Sequence, residues 1–282
     1  MLPSLIDGMM VGFVYGLAAM GLTLIFGVMN VINLSHGALI VLGMFTTYWV
    51  ATAWGLHPYL GVLVAAGVGF LMGLLIFYGA VKRILRGPHL SSLLATYAVS
   101  MILIGLGTAV FSVSPYNVPF SVGALHLGFL VIPGARLVAS LVAVVLAGLL
   151  FAFLYRTRWG WYIRAVTDNR DAAELVGIPS VRVLAYSFSL GAMLATVAGA
   201  LIATFFPFTV LSGSPYELKS FVIAVLGGLG NPLGSLLGGL ILGLMEGLVP
   251  VFLPTSWTPV LEFALFIGIL LIRPSGLLGG KS

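Results

Sequence analysis

Few residues in this chain could do chemistry, and their spacing argues against catalysis. The sequence holds seven Asp and Glu, four His and no Cys. A chain without Cys has no disulfide, no thiol nucleophile and no CxxC-type metal or redox site. It also carries no GxxxxGK[ST] phosphate loop and no HExxH pair. His36 stands without a second His, Asp or Glu at ligand spacing, so no metal site and no catalytic residue are expected. What remains is a set of polar residues in unusual places. Asn30, Asn33, Ser35 and His36 interrupt an apolar stretch, Asn231 lies among glycines, Glu246 and Glu262 lie within apolar runs, and Asp168, Asp171 and Glu174 recur at helical spacing. Such groups bind solutes or tie helices together, so the chemistry on offer is recognition and passage.

The elements that must position them are set by composition. Hydrophobic residues make up 61% of the chain and charged residues 7%, whereas a soluble domain has roughly 25% charged residues. A core of this size cannot hide so much apolar surface, so the solvent must be largely lipid. With about 20 residues per crossing, about eight or nine membrane segments use most of the length and leave no room for a soluble domain. The expectation is an all-α polytopic membrane helix bundle, residues 1–282 forming one transmembrane domain, with some helices broken or re-entrant.

Charge sets the orientation. Arg156, Arg158, Arg164, Arg170 and Arg182 fall in one stretch between two apolar runs, and positive loops stay on the cytoplasmic side. With Lys82, Arg83 and Arg86 before it and Arg273, Pro274 and Lys281 after it, all basic clusters share one side if the N-terminus is outside and the C-terminus cytoplasmic. No Lys or Arg precedes Lys82, so the first apolar run is expected to be a retained span. The net charge of +5 is split between these clusters and does not describe a nucleic-acid surface.

Within residues 156–182 the pattern predicts a short cytoplasmic helix. Asp168 is the expected N-cap, Asp171 lies in the first turn, Gly177 stops the helix and Pro179 follows. Ala172, Ala173, Leu175 and Val176 form a small apolar face. A helix this short is marginal alone. It must lie on its own protein or on headgroups, or dock into a partner's groove.

The remaining chain reads as runs and breaks. Leu5 to Gly27 is apolar, with Gly8, Gly12 and Gly16 on one face for close packing and Asp7 hydrated at the outer end. The polar stretch from Asn30 to Gly37 is either a cytoplasmic turn with capping Asn and Ser, or a break that lines a pathway. Further runs are Tyr59 to Val81, Leu90 to Phe111, Leu137 to Tyr155, Val183 to Phe206, Leu236 to Val249 and Pro259 to Ile272. Ser112 to Pro133 and Pro207 to Lys219 read as outer loops, with Arg136 snorkelling beside the first. Gly191, Ala195, Gly199 and Ala203 form a second small-residue stripe. Phe221 to Leu226 begins a run that breaks at Gly227 to Gly234. Gly27-x-x-Asn30 with Gly37 is echoed by Gly228-x-x-Asn231 with Gly238, and paired broken helices point to a transport site. Glu246 either bonds a partner helix and holds an outer gate or, like Glu262, reaches the interface.

Three stretches resemble a known family. Asp171-Ala172-Ala173-x-x-x-Gly177 resembles the EAA-type coupling loop of ABC importer membrane subunits, with Asp in place of the usual Glu. NVINLSHG from Asn30 and GGLGNPLGSLLGGLILGLMEGL from Gly227 resemble stretches of the permeases for branched-chain amino acids, and the pattern extends over nearly the whole chain. The resemblance implies a permease subunit of the bacterial or archaeal cytoplasmic membrane. It implies a second homologous permease, as heterodimer or homodimer, two cytoplasmic ATPase subunits, an external solute-binding protein and surrounding lipid, with no nucleic acid. No cofactor is expected on this chain, with ATP and Mg held by the ATPase partners. Coupling would fall to Asp168, Asp171, Ala172, Ala173, Glu174 and Gly177, and the pathway to Asn30, Asn33, Ser35, His36, Asn231 and Glu246. A stand-alone channel or ion-coupled carrier, and a permease for urea or short amides, remain as alternatives.

Overall fold

The computed structural model describes residues 1–85, 87–127, 130–273 and 275–279. Arg86, Pro274 and Lys281, which belong to the segments expected in the cytoplasm, lie outside the described residues. The helices are α1 (Leu2–Met29), α2 (His36–Thr52), α3 (Pro58–Ile76), α4 (Lys82–Ile84), α5 (His89–Phe111), α6 (Gly134–Arg156), α7 (Arg158–Asp168), α8 (Arg170–Leu175), α9 (Ser180–Ile202), α10 (Gly213–Gly227), α11 (Pro232–Phe252) and α12 (Thr258–Ile272). A π-helical turn, Phe77–Val81, joins α3 to α4.

Among the described residues, seven helical stretches are long and apolar enough to cross a membrane. They contain α1, α3 with α4, α5, α6, α9, α11 and α12, and the molecule is a polytopic membrane bundle. α1 and α9 are buried along most of their length and form its centre, whereas α5 and α12 are largely exposed. A helix apolar all round can be exposed without cost in lipid, so exposure here follows position in the bundle rather than sequence.

Small residues set the closest contacts, as expected where lipid tails are as apolar as leucine. Gly8, Gly12 and Gly16 of α1 face Gly243, Gly239 and Leu236 of α11, and a Cβ at Gly12 would stand 2.7 Å from the Gly239 carbonyl oxygen. The second stripe behaves likewise, with Gly191 of α9 against Gly21 and Gly199 against Ile40.

Four expectations are corrected. The 112–133 segment is not all loop, although the body of the molecule is the expected helical bundle. Strands β1 (Ala124–Leu127) and β2 (Leu130–Pro133) form an antiparallel hairpin, with Ala124 opposite Pro133. Four-residue strands are too short to display a two-residue period. The supposed outer loop from Pro207 ends at Ser212, where α10 begins, and Lys219 lies inside that helix. Tyr216, Glu217 and Lys219 give the segment a polar look, but Lys219 pairs with Glu246 and Glu262, Tyr216 packs on the Tyr15 ring and Glu217 lies against Gly37. Asp7 is not simply hydrated but ion-paired to Arg136, whose guanidinium also lies 5.1 Å from the Phe206 ring centre. Glu262 does not reach the surface; it is 5% exposed.

Candidate functional site

The first break is built from short polar side chains that satisfy the backbone they interrupt. Asn30 closes α1 in the left-handed conformation, with φ of 51°, a geometry that Asn tolerates better than most residues. Three residues on, Asn33 Oδ1 accepts from the Ser35 amide at 3.1 Å and from the Ser35 hydroxyl at 2.6 Å. On α5, the Thr96 hydroxyl accepts from the Leu34 amide at 3.1 Å and lies 2.9 Å from the Ser92 carbonyl, which can take its proton. Thr96 thereby clamps the irregular segment to a neighbouring helix. Asn33, Ser35, His36 and Thr96 are fully buried, while Asn30 is exposed. The break is therefore an interior feature for most of its length. Among the described residues, Asn33 Nδ2 and both ring nitrogens of His36 have no hydrogen-bond partner.

Two cavities flank this segment and share Ile32. One, of about 340 Å³, is lined by Asn33, Ser214 and Glu217 together with Leu22, Ile32, Leu34, Leu218 and Phe221. The other, of about 400 Å³, is lined by Phe26, Asn30, Ile32, Ser92 and Leu93. The Glu217 carboxylate faces the backbone amide of Gly37, in the first turn of α2. α2 has no side-chain cap of its own, so an acid from α10 meets its orphan N–H groups and the positive end of its dipole.

Glu217, Ser214 and Thr96 were not singled out from the sequence. Glu217 and Ser214 were hidden in a segment that read as loop. Thr96 left a usable signal, because Ser92, Thr96 and Ser100 recur every fourth residue in an apolar run, and all three are buried.

The second break is satisfied differently. Gly228 and Gly230 adopt φ of 106° and 90°, open to glycine and strained for other residues. Asn231 caps α11, its Oδ1 accepting from the amides of Leu233 at 3.0 Å and Gly234 at 3.2 Å. Its Nδ2 donates to the Leu278 carbonyl at 2.9 Å. The amides of Leu277 and Leu278 in turn donate to the carbonyls of Leu226 and Gly227 at 2.9 and 3.0 Å. The two breaks touch: a Cβ at Gly27 would lie 2.8 Å from the Gly230 Cα. This contact brings Asn30 at the end of α1 beside the break that holds Asn231, whereas Gly37, next to His36, packs on Gly213 at the other end of α10.

Glu246 belongs to a separate cluster. Lys219 Nζ of α10 lies 2.8 Å from Glu246 of α11 and 3.9 Å from Glu262 of α12. The Tyr15 hydroxyl of α1 donates to Glu246 at 3.4 Å, and Lys219 stands 4.9 Å from the Tyr15 ring centre. One lysine thus ties four helices, and it does so where the charges are largely shielded from solvent.

In the Arg-rich stretch the helix cap is Asn169, not Asp168, which is the last residue of α7. Asn169 Oδ1 accepts from the Ala172 amide at 2.9 Å. Asn outcompetes Asp168 here because α7, an amphipathic helix with Gly160, Ile163 and Val166 buried, runs through residue 168. The apolar face of α8 is not packed as a unit either. Ala173 is buried, whereas Asp171 and Ala172 are exposed and Leu175 and Val176 are 89% and 77% exposed. Glu174 meets Arg170 at 3.1 Å and the Ser180 hydroxyl, which fastens α8 to the start of α9. Gly177, with φ of 86°, makes the turn between them. α7 packs on α1 and α9, so this stretch touches both central helices.

Residues 4–270 match the family model described as branched-chain amino acid transport system, permease component. The chain is similar to the high-affinity branched-chain amino acid transport system permease protein LivH of Escherichia coli (strain K12), at 31% identity over 99% of this chain and 95% of the relative. It is 29% identical to BraD of Pseudomonas aeruginosa over 99% of the chain and 95% of the relative. A more partial match is the ribose import permease protein RbsC of Escherichia coli (strain K12), 30% identical over 76% of the chain and 66% of the relative. No solved structure matches significantly.

Proposed function

Because this chain belongs to the family of permease components of branched-chain amino acid transport systems, we propose that it carries leucine, isoleucine, valine or related amino acids inward across a cell membrane. It is a transport subunit and not an enzyme. The work is done by partners: a second permease, two cytoplasmic ATPase subunits that hold ATP and Mg, and an external protein that delivers the solute. Residues 1–282 form one permease domain. Counting α2 and α10 as broken segments beside the long spans gives nine crossings, with the N-terminus outside and the C-terminus in the cytoplasm.

The observation that carries the mechanical reading is α8. A six-residue helix in the most Arg-rich stretch holds Leu175 and Val176 out of its own protein, a cost that docking to a partner would offset. Asp168, Asp171, Ala172, Ala173, Glu174 and Gly177 are the coupling residues. When the ATPase pair closes, α8 moves α9 through Glu174 and Ser180, and α7 moves against α1, so the central helices shift as rigid bodies between outward and inward openings. Asn30, Asn33, Ser35 and His36 border the passage, Asn231 joins α10 to α11 at the neighbouring break, and Glu246 holds α10 to α11 away from the passage.

Copurification followed by ATP-dependent uptake of leucine, valine, urea and ribose into liposomes tests this reading. Leucine or valine uptake that requires the ATPase is expected, and uptake by the chain alone would point to a carrier. Reversing Asp171 to Arg together with Gly177→Pro should abolish ATPase association, and undiminished association would refute the docking role.

A further inference from the structure

We propose that the cavity beside the first break is a subsite for the charged head of an α-amino acid, with Glu217 receiving the ammonium group and Asn33 donating to the carboxylate. This rests on the amino acid reading above and adds which groups hold the solute. The cavity of about 340 Å³ has one charged residue in its lining, Glu217, two polar ones, Asn33 and Ser214, and an otherwise apolar wall.

Each polar group has capacity to spare. A carboxylate has two oxygens and about four lone-pair sites, and Gly37, packed against Glu217 at the head of α2, has a single N–H to offer them. Asn33 is oriented by its neighbour: the Ser35 backbone N–H is only a donor, so the atom facing it at 3.1 Å must be Oδ1. That leaves Nδ2 as a buried donor with no partner among the described residues. Buried donors are nearly always paired, and an anionic acceptor would supply what this one lacks. Leu22, Leu218 and Phe221 offer an apolar wall for an aliphatic side chain. A zwitterion therefore satisfies both ends, whereas urea or a sugar brings no positive charge to Glu217. Binding here need only be weak, because a solute that must leave cannot be held tightly.

Two near-isosteric variants test the assignment in the complete transporter with its binding protein. Glu217→Gln keeps an acceptor for the Gly37 amide and removes the charge. Asn33→Asp keeps the acceptor for Ser35 and replaces the donor with a negative oxygen. Each should lower leucine uptake by at least about tenfold while ATP hydrolysis by the partner subunits continues, since a charge-assisted bond to the solute is lost or reversed. Wild-type uptake in both variants would overturn the subsite, as would a parallel loss of uptake and hydrolysis, which marks a structural role. Wild-type transport of urea or ribose but of no amino acid would instead remove the function on which the proposal rests. Should the variants fail to assemble, Ser214→Cys gives a second test, clean because the chain has no Cys. A cationic methanethiosulfonate should label it from water, and leucine should slow the labelling. Labelling indifferent to leucine would overturn the proposal.

Discussion

The two helix breaks look alike as strings and differ as structures. Both place an Asn three residues after a glycine, and they lie against one another at Gly27 and Gly230. The second is closed: every side-chain polar atom of Asn231 is bonded, and residues 277 and 278 occupy the carbonyls freed at the end of α10. The first is open, with cavities on both sides, an unpaired Asn33 donor and an unpaired His36 ring. Backbone freed inside a membrane must find partners. A break whose partners all come from the protein is a joint, and one that keeps an unpaired donor on a residue beside a cavity has room for a solute.

The largest effect should come from removing the clamp on the open break. Thr96→Val leaves the buried Leu34 amide without an acceptor, a loss of about 1–3 kcal/mol, and Thr96→Ser should restore most of it. Thermal denaturation of the purified complex reads the loss, and uptake should fall with it; a Val variant as stable as wild type would mean that the segment needs no anchor.

At the closed break, Asn231→Ala removes a helix cap and the bond to residue 278 and should cost about 1 kcal/mol. Transport per folded complex should survive, because this break only joins. Transport lost from a fully stable Asn231→Ala complex would erase the distinction between the two breaks.

The smallest effect concerns α10, which presents Glu217 to the open break and ends at the closed one. Glu246→Gln weakens its anchor, but Gln keeps an acceptor for Lys219 and Glu262 keeps a negative charge beside it, so no cation is left unpaired. A modest drop in melting temperature with normal uptake is expected. Uptake abolished in a stably assembled Glu246→Gln complex would assign Glu246 to gating instead.

Several features were legible in order along the chain. Span positions followed from apolar runs, because in lipid each crossing needs about 20 apolar residues whatever its neighbours do. The Gly8, Gly12 and Gly16 face followed from four-residue spacing, and the break at Asn30 from polarity where none is tolerated without a reason. Legibility failed where a polar residue was answered by another part of the chain. Lys219 and Glu217 marked a loop until Glu246 and Gly37 came alongside, and Asp7 seemed wet until Arg136 reached it. Asp168 lost its capping role to Asn169 because a preceding helix ran one residue further than pattern allows one to read.

By itself, then, the sequence determined that this protein lives in lipid, where its helices run, where two of them break and which stretch carries the positive charge. Those properties are local sums over hydrophobicity, charge and backbone propensity. Only the tertiary structure decided that one break is sealed and the other faces a cavity, and that an acid from α10 stands at the head of α2. Satisfaction of a buried polar group depends on partners dozens to hundreds of residues away, and no local pattern carries that information.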